Sequence, residues 1–204
     1  MINNVKSHEL SLGWRGRLFG PPLVVGRDYE VLPGAAARPL AAAATDQIEV
    51  TEFFMFLCFP CYEFETELAR WEVQKPSYVT LTRVPSMFRP DAELHARAYY
   101  TAEVLGVLDA MHAAMYDQIH VRGNRLASRA ALVEFFARFG VEAATFDAAF
   151  DSRAVEARVE HAIALNREYR ITQTPTLVVD GRYSTRTLAA VDWLIAESRA
   201  ESQR

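Results

Sequence analysis

The run Ile48-Glu49-Val50-Thr51-Glu52-Phe53-Phe54-Met55-Phe56-Leu57-Cys58-Phe59-Pro60-Cys61 decides how the rest of the chain is read. From Ile48 to Leu57 it is apolar on both parities, with Ile48, Val50, Phe54 and Phe56 on one and Phe53, Met55 and Leu57 on the other. A strand apolar on both faces belongs in the centre of a sheet covered on both sides. Glu52 shares the parity of Val50 and Phe54, so it points into one of those faces. It reads either as a carboxylate tolerated near a strand end or as a buried acid beneath the cysteines. Beyond the run, Tyr62 to Gln74 is helix-like, with Phe64, Leu68 and Trp71 recurring at i, i+4, i+7 as a buried stripe.

Strand, Cys-x-x-Cys and helix therefore follow one another directly. Cys58 and Cys61 are the only cysteines in 204 residues. At the start of a helix they can close and reopen a small disulfide ring. The unpaired N–H groups and partial positive charge of the helix N-terminus stabilise a thiolate on Cys58. Pro60 fits because first-turn N–H groups have no intrahelical partner to lose. Glu63, Glu65 and Glu67 load the first half of the helix with negative charge, and Glu65 is close enough to the motif to modulate it. Two other readings stay open on the residues. A zinc site would need two further ligands, and His8, His95, His112, His120 and His161 are scattered along the chain. Two buried structural cysteines would be inert.

A chain of this length with 50% hydrophobic residues can bury a substantial core. Its net charge of −4 is mixed along the chain and forms no basic stripe for nucleic acid. No apolar run reaches the ~18 residues a membrane helix needs. Residues 1–25 show no signal-peptide core, because Lys6, Arg15 and Arg17 break them up. Residues 1–27 read as a loosely ordered arm, Tyr29 to Leu32 as a short strand, and the Ala-rich residues 35–46 as a loop. Tyr78 to Val84 alternates as a second strand. From Pro90 to Arg170 the pattern is helical, with expected starts at Asp91, near Leu108, at Ser128, at Thr145 and at Asp151 or Ser152, and with Gly140 as a C′ residue. Asp180-Gly181, between Thr176–Val179 and Tyr183, predicts a hairpin turn with positive φ at both positions. Leu188 to Ser198 closes the chain as a helix.

This order resembles the thioredoxin fold, and more closely the DsbA family of thiol:disulfide oxidoreductases. The resemblance covers about residues 28–198 and is carried by Asp28-Tyr29-Glu30-Val31-Leu32, Ile48 to Phe54, Cys61-Tyr62-Glu63-Phe64-Glu65, Ala96-Arg97-Ala98-Tyr99-Tyr100 and Pro175 to Tyr183. It implies an α/β thioredoxin-like domain formed by residues 28–85 and 151–204, with an inserted α-helical domain at 86–150. It also implies that Cys58 attacks, that Cys61 resolves, that Pro175 is a cis-proline facing them, and that Glu52 is the family's buried acid. Three departures bear on oxidant strength and partner choice. The family's usual Pro-His dipeptide is here Phe59-Pro60, Thr174 replaces the usual Val before the cis-proline, and the connection Ser184 to Thr187 is short.

The function these residues imply is disulfide exchange with protein or peptide thiols, most naturally as a disulfide donor, with Phe59, Pro60, Thr174 and Pro175 contacting substrate. No metal, organic cofactor or nucleic acid is implied. The resemblance further implies a periplasmic monomer, recycled by a redox partner such as a membrane quinone-linked DsbB-like oxidase. A reductase or isomerase of the same fold is the alternative suggested by Pro60 and Thr174. A peptide-binding or chaperone module with a static disulfide would keep the apolar Phe59 and the Pro175 edge without redox chemistry. A glutathione-transferase-like branch with the same insertion typically lacks the cysteine pair. Because Phe59 and Pro60 offer no side-chain donor, the Cys58 thiolate is expected to be less stabilised than in Pro-His members, although still below a free thiol in pKa.

Overall fold

The computed structural model describes residues 23–35 and 47–202. Most of the expected N-terminal arm and nearly all of the expected Ala-rich loop lie outside them. Strand β2, Ile48–Phe54, is buried at every position except Glu49. It pairs in parallel with β3, Val79–Pro85, through the register Glu52↔Arg83, and antiparallel with β4, Thr176–Val179. β4 turns back into β5, Tyr183–Thr185, which pairs with the short edge strand β1, Glu30–Val31. The sheet order is β1-β5-β4-β2-β3. In the hairpin, Asp180 and Gly181 hold φ of 53° and 62°, as the Asp-Gly pair predicts. The Asp180 N–H also donates to Glu49 O at 2.8 Å, tying the turn to the central strand.

One face of β2 packs Ile48 and Val50 with Leu177 and Val179 against α1, Phe59–Gln74, and α7, Leu188–Ser202, through Leu68, Trp71, Val191, Leu194 and Ile195. Trp71 Nε1 donates to Asp192 of α7 at 2.7 Å. On the other side Phe53 meets Tyr169 edge-on, and Val178 joins Val155, Val159 and Ala162 of α6, Arg153–Glu168. Four further helices lie between β3 and α6 in the chain. They are α2, Pro90–Val104, α3, Leu108–His120, α4, Arg129–Ala137, and α5, Ala143–Phe150. Phe54 and Phe56, at the end of the strand run, join this helical cluster against Tyr99 of α2 and Tyr116 of α3. The arrangement is a thioredoxin-like α/β fold with a helical insertion. Among the described residues no helix is long and apolar enough to cross a membrane.

Local chemistry moved several expected boundaries. Helix α1 starts at Phe59 rather than Tyr62, with Cys58 as N-cap in extended conformation and Pro60 in the first turn. Cys61 N and Tyr62 N both donate to Cys58 O at 3.1 Å, so the cysteine motif is itself the first turn. Asp91 does not cap α2. Arg89 is the N-cap and Pro90 takes the first turn, where its missing N–H costs nothing, while Asp91 pairs with Arg89 and Arg125. Ser128 and Ser152 do cap α4 and α6, each accepting from an N–H in the first turn at 3.2 Å. Helix α5 begins at Ala143, ahead of Thr145.

Leu68 has no exposed surface and sits between α1 and the sheet. Leu68→Ala is expected to cost about 2–5 kcal/mol, read as a lower urea midpoint with an unchanged slope. A loss near zero would mean that α1 is not seated on β2 as described.

Candidate active site

The end of β2 delivers the chain into α1 so that the two sulfurs meet different surroundings. Both cysteines are free, Cys58 half-buried at the helix N-cap and Cys61 fully buried one turn in. The Cys58 thiol donates to Thr174 O at 3.3 Å. The Thr174–Pro175 bond is cis, and both residues are buried beside the motif. The Cys58 pKa is drawn down to about 6, first by a hydrogen bond from the Cys61 side chain. Burial opposes this, while Thr174, the Cys61 backbone N–H and the charge of His120 lower it further. Cys61 is pushed up, first because it donates to Cys58 and then by burial. One thiol is thus an accessible thiolate near neutral pH, and its neighbour keeps its proton.

Around the sulfurs, Phe59 is exposed and Pro60 lies at the surface. Arg186, in the short connection after β5, donates to Pro175 O and to Gln173 Oε1, each at 3.2 Å. It therefore fixes the loop that carries Thr174. Glu52 is completely buried, with Arg83 Nε at 3.3 Å from Oε2, an ion pair without an aligned hydrogen bond. Burial first, then repulsion from Glu65, raises its pKa to about 8 against the pull of Arg83. Arg83 divides its charge between Glu52 and Glu72, the latter at 2.9 Å. Glu65 is not merely solvated, since His112 Nε2 lies 3.1 Å from its carboxylate.

Two of the histidines scattered in sequence come together in space. His112 and His120 both come to the motif from α3, and His120 stacks on Tyr62 and meets Phe59 edge-on. Together with Tyr116 they follow i, i+4, i+8 spacing, a stripe beside the apolar Met111, Met115 and Ile119. That spacing was the available signal. Nothing in it shows which helix α3 faces. Arg83 and Arg186 carry no local signal at all.

Comparison with known proteins agrees with this geometry. A family model described as a DSBA-like thioredoxin domain matches residues 66–193, beginning just beyond Cys61. The chain belongs to the DsbA family. The thiol:disulfide interchange protein DsbA of Azotobacter vinelandii is 32% identical over 200 residues, covering 93% of this chain and 92% of that one. The crystal structure of the oxidoreductase DsbA from Xylella fastidiosa is 35% identical with a TM-score of 0.80, covering 87% of this chain and 98% of that one. Pseudomonas aeruginosa DsbA superposes with a TM-score of 0.79 at 29% identity, covering 89% and 97%.

Glu52 generates a test. Its native pKa of about 8 lies above the ordinary 4.5, so the folded state holds a proton that the unfolded state gives up. The associated stability is full below the ordinary value and is lost as pH rises toward 8, at roughly 1.4 kcal/mol per pH unit for one proton. Glu52→Gln removes that slope, so urea unfolding at about pH 5 and about pH 8 should show a flatter dependence than the native chain. Parallel losses in the two proteins would exclude Glu52 as the titrating group.

Proposed function

We propose that Cys58 and Cys61 carry a disulfide that is passed to thiols of protein substrates, with Cys58 as the sulfur attacked and Cys61 as its resolving partner. The observation that carries this reading is the asymmetry of the pair, an accessible acidic thiol beside a buried one held protonated. A substrate thiolate attacks Cys58 in the oxidised pair. The substrate–Cys58 bond forms, the Cys58–Cys61 bond breaks, and Cys61 leaves and takes up a proton. A second substrate thiolate then attacks the substrate sulfur of the mixed disulfide and expels Cys58 as a stable thiolate. Two electrons pass to the pair and one disulfide remains in the substrate. A low leaving-group pKa speeds that second step. Glu52, neutral near pH 7, supplies the Cys61 proton, and in the reverse direction it accepts that proton.

In this reading Phe59, Pro60, Thr174 and Pro175 form the substrate edge. Pro175 has no N–H, which leaves the strand start open to an extended peptide. Thr174 Oγ1 is buried without a partner in the dithiol form and becomes a donor to the sulfur when Cys58 ionises. Glu65, held by His112, tunes Glu52 through charge. Residues 28–85 with 151–204 are the exchange unit and 86–150 the insertion, a division favoured by the way α3 lays His112, Tyr116 and His120 along the motif. We further propose that the chain works as a periplasmic monomer, reoxidised by a membrane quinone-linked DsbB-like oxidase. The names of its relatives as thiol:disulfide interchange proteins support exchange with thiols through this pair.

The test uses the oxidised protein and a reduced, unfolded disulfide-bonded substrate. The substrate should lose two thiols for each pair reduced. Offered the oxidised substrate instead, whose disulfide the Cys58 thiolate attacks, Cys61→Ser should accumulate the mixed disulfide, and Cys58→Ser should neither oxidise nor be trapped. A substrate that gains no disulfide would sink the reading, and rescue of scrambled disulfides in place of net oxidation would favour the isomerase. Thiolate absorbance should titrate near pH 6. Thr174→Val should move that midpoint upward, because the ionised sulfur loses a donor. The reduced form should gain stability over the oxidised form as pH rises from about 6 toward the ordinary thiol value of 9.0, and lose it as pH falls through 6.

A further inference from the structure

The Phe59-Pro60 dipeptide leaves a question of charge. The Cys61 thiol and Thr174 hydrogen-bond to the Cys58 sulfur but bring no charge, and neither side chain between the cysteines can hydrogen-bond or carry charge. Helix α3 ends on His120, the one basic residue of its last turn. The imidazole stacks on Tyr62 at 5.1 Å between ring centroids with 20° between planes. It meets Phe59 edge-on at 5.7 Å and lies against Tyr116 at 6.0 Å. Its Nε2 stands 2.7 Å from Phe56 O, two residues before Cys58. A carbonyl only accepts, so Nε2 keeps its proton in both charge states, and Nδ1 is the atom that gains or loses one.

We propose that His120 is a positioning residue for the exchange reaction, its imidazolium supplying from α3 the positive charge beside Cys58 that the central dipeptide lacks. This rests on the exchange reading above. The place is suited to a cation. It lies at the negative end of a helix, beside two tyrosine faces and on a carbonyl. Phe56 O fixes the ring by its donor, so the charge does not wander from the motif.

The other titratable groups near His120 do not duplicate it. From α1 come Cys58, Cys61 and the Tyr62 phenol, and from α3 itself Tyr116 and Asp117, with Arg122 just beyond. Burial pushes the Tyr116 pKa well up, so the phenol stays neutral. His95, which flanks Phe56 from α2, is driven toward its neutral form, first by burial. His112 is committed to Glu65. His120 is then the group of α3 placed to bring a positive charge to the sulfur. By linkage, whatever the imidazolium does for the thiolate, the thiolate does equally for the imidazolium.

The test reads the reduced protein without substrate. His120→Gln keeps a donor for Phe56 O and removes the charge, and His120→Lys keeps the charge. We expect His120→Gln to raise the Cys58 midpoint by about 0.5–1 pH unit. Its equilibrium with glutathione should shift about three- to tenfold away from the reduced form, or ~15–30 mV. His120→Lys should recover most of both shifts. In the unaltered chain, NMR titration of the His120 ring should give a higher midpoint in the dithiol than in the disulfide form, by the same number of units. That measurement stands even if a variant does not fold. A His120 midpoint indifferent to the redox state overturns the proposal, as does a His120→Gln midpoint like that of the native chain or a His120→Lys that behaves as His120→Gln. If these shifts appear while the native chain fails to oxidise substrate, the exchange reading falls and the electrostatic coupling stands.

Discussion

Every part of the molecule depends on burying β2 on both faces. A strand so apolar has to be roofed twice, and the two roofs have different origins. One is local, since α1 follows the strand directly and folds back with α7 upon Ile48 and Val50. The other is supplied from far along the chain by α6 and the helices of the insertion. The active motif lies where these roofs meet, at the end of the strand and the beginning of α1. The backbone there has no freedom to place Cys58 elsewhere, because moving it would unseat Leu68 and Trp71 as well.

That double roof also explains the electrostatics. Glu52 occupies a position that the pattern of β2 would fill with an apolar side chain, and β3 answers it with Arg83 at the paired register position. Arg83 reaches Glu52 without aligned hydrogen bonds and is shared with Glu72, so the carboxylate is only partly compensated. A buried acid held this way keeps its proton near neutrality. The two cysteines differ through placement as well. The strand end and helix start put one sulfur at the rim and the next beneath it, and the hydrogen bond from the lower thiol to the upper one then separates two chemically identical groups.

The fold was legible because its signals are local. The apolar run of β2, the i, i+4, i+7 stripe of α1, the serine caps and the Asp-Gly turn each lie within a few residues. At the site, the cysteines, Pro60 in the first turn, the parity of Glu52 and, through family resemblance, Pro175 could be named from the chain. What could not be read came from distant elements. Arg83 is set by strand register, Arg186 by the path of a short connection, and His112 and His120 by which face α3 turns toward α1. The Asp91 cap failed because a proline one residue earlier claims the same turn. The histidines look scattered along the sequence, but about two turns of α3 separate His112 and His120 and set both on the face beside the motif.

The carbonyl of Thr174 serves as acceptor for the Cys58 thiol, while Arg186 occupies the next carbonyl, that of Pro175. An extended peptide laid along this edge must find its backbone partners among atoms already engaged. Once Cys58 gives up its proton or bonds to another sulfur, it no longer donates, and Thr174 O is released. In the proposed exchange the oxidised pair already leaves Thr174 O free for a peptide N–H, and the oxygen is claimed again only when Cys58 regains a proton. A single carbonyl oxygen thus answers to two donors in turn, according to the state of the sulfur beside it.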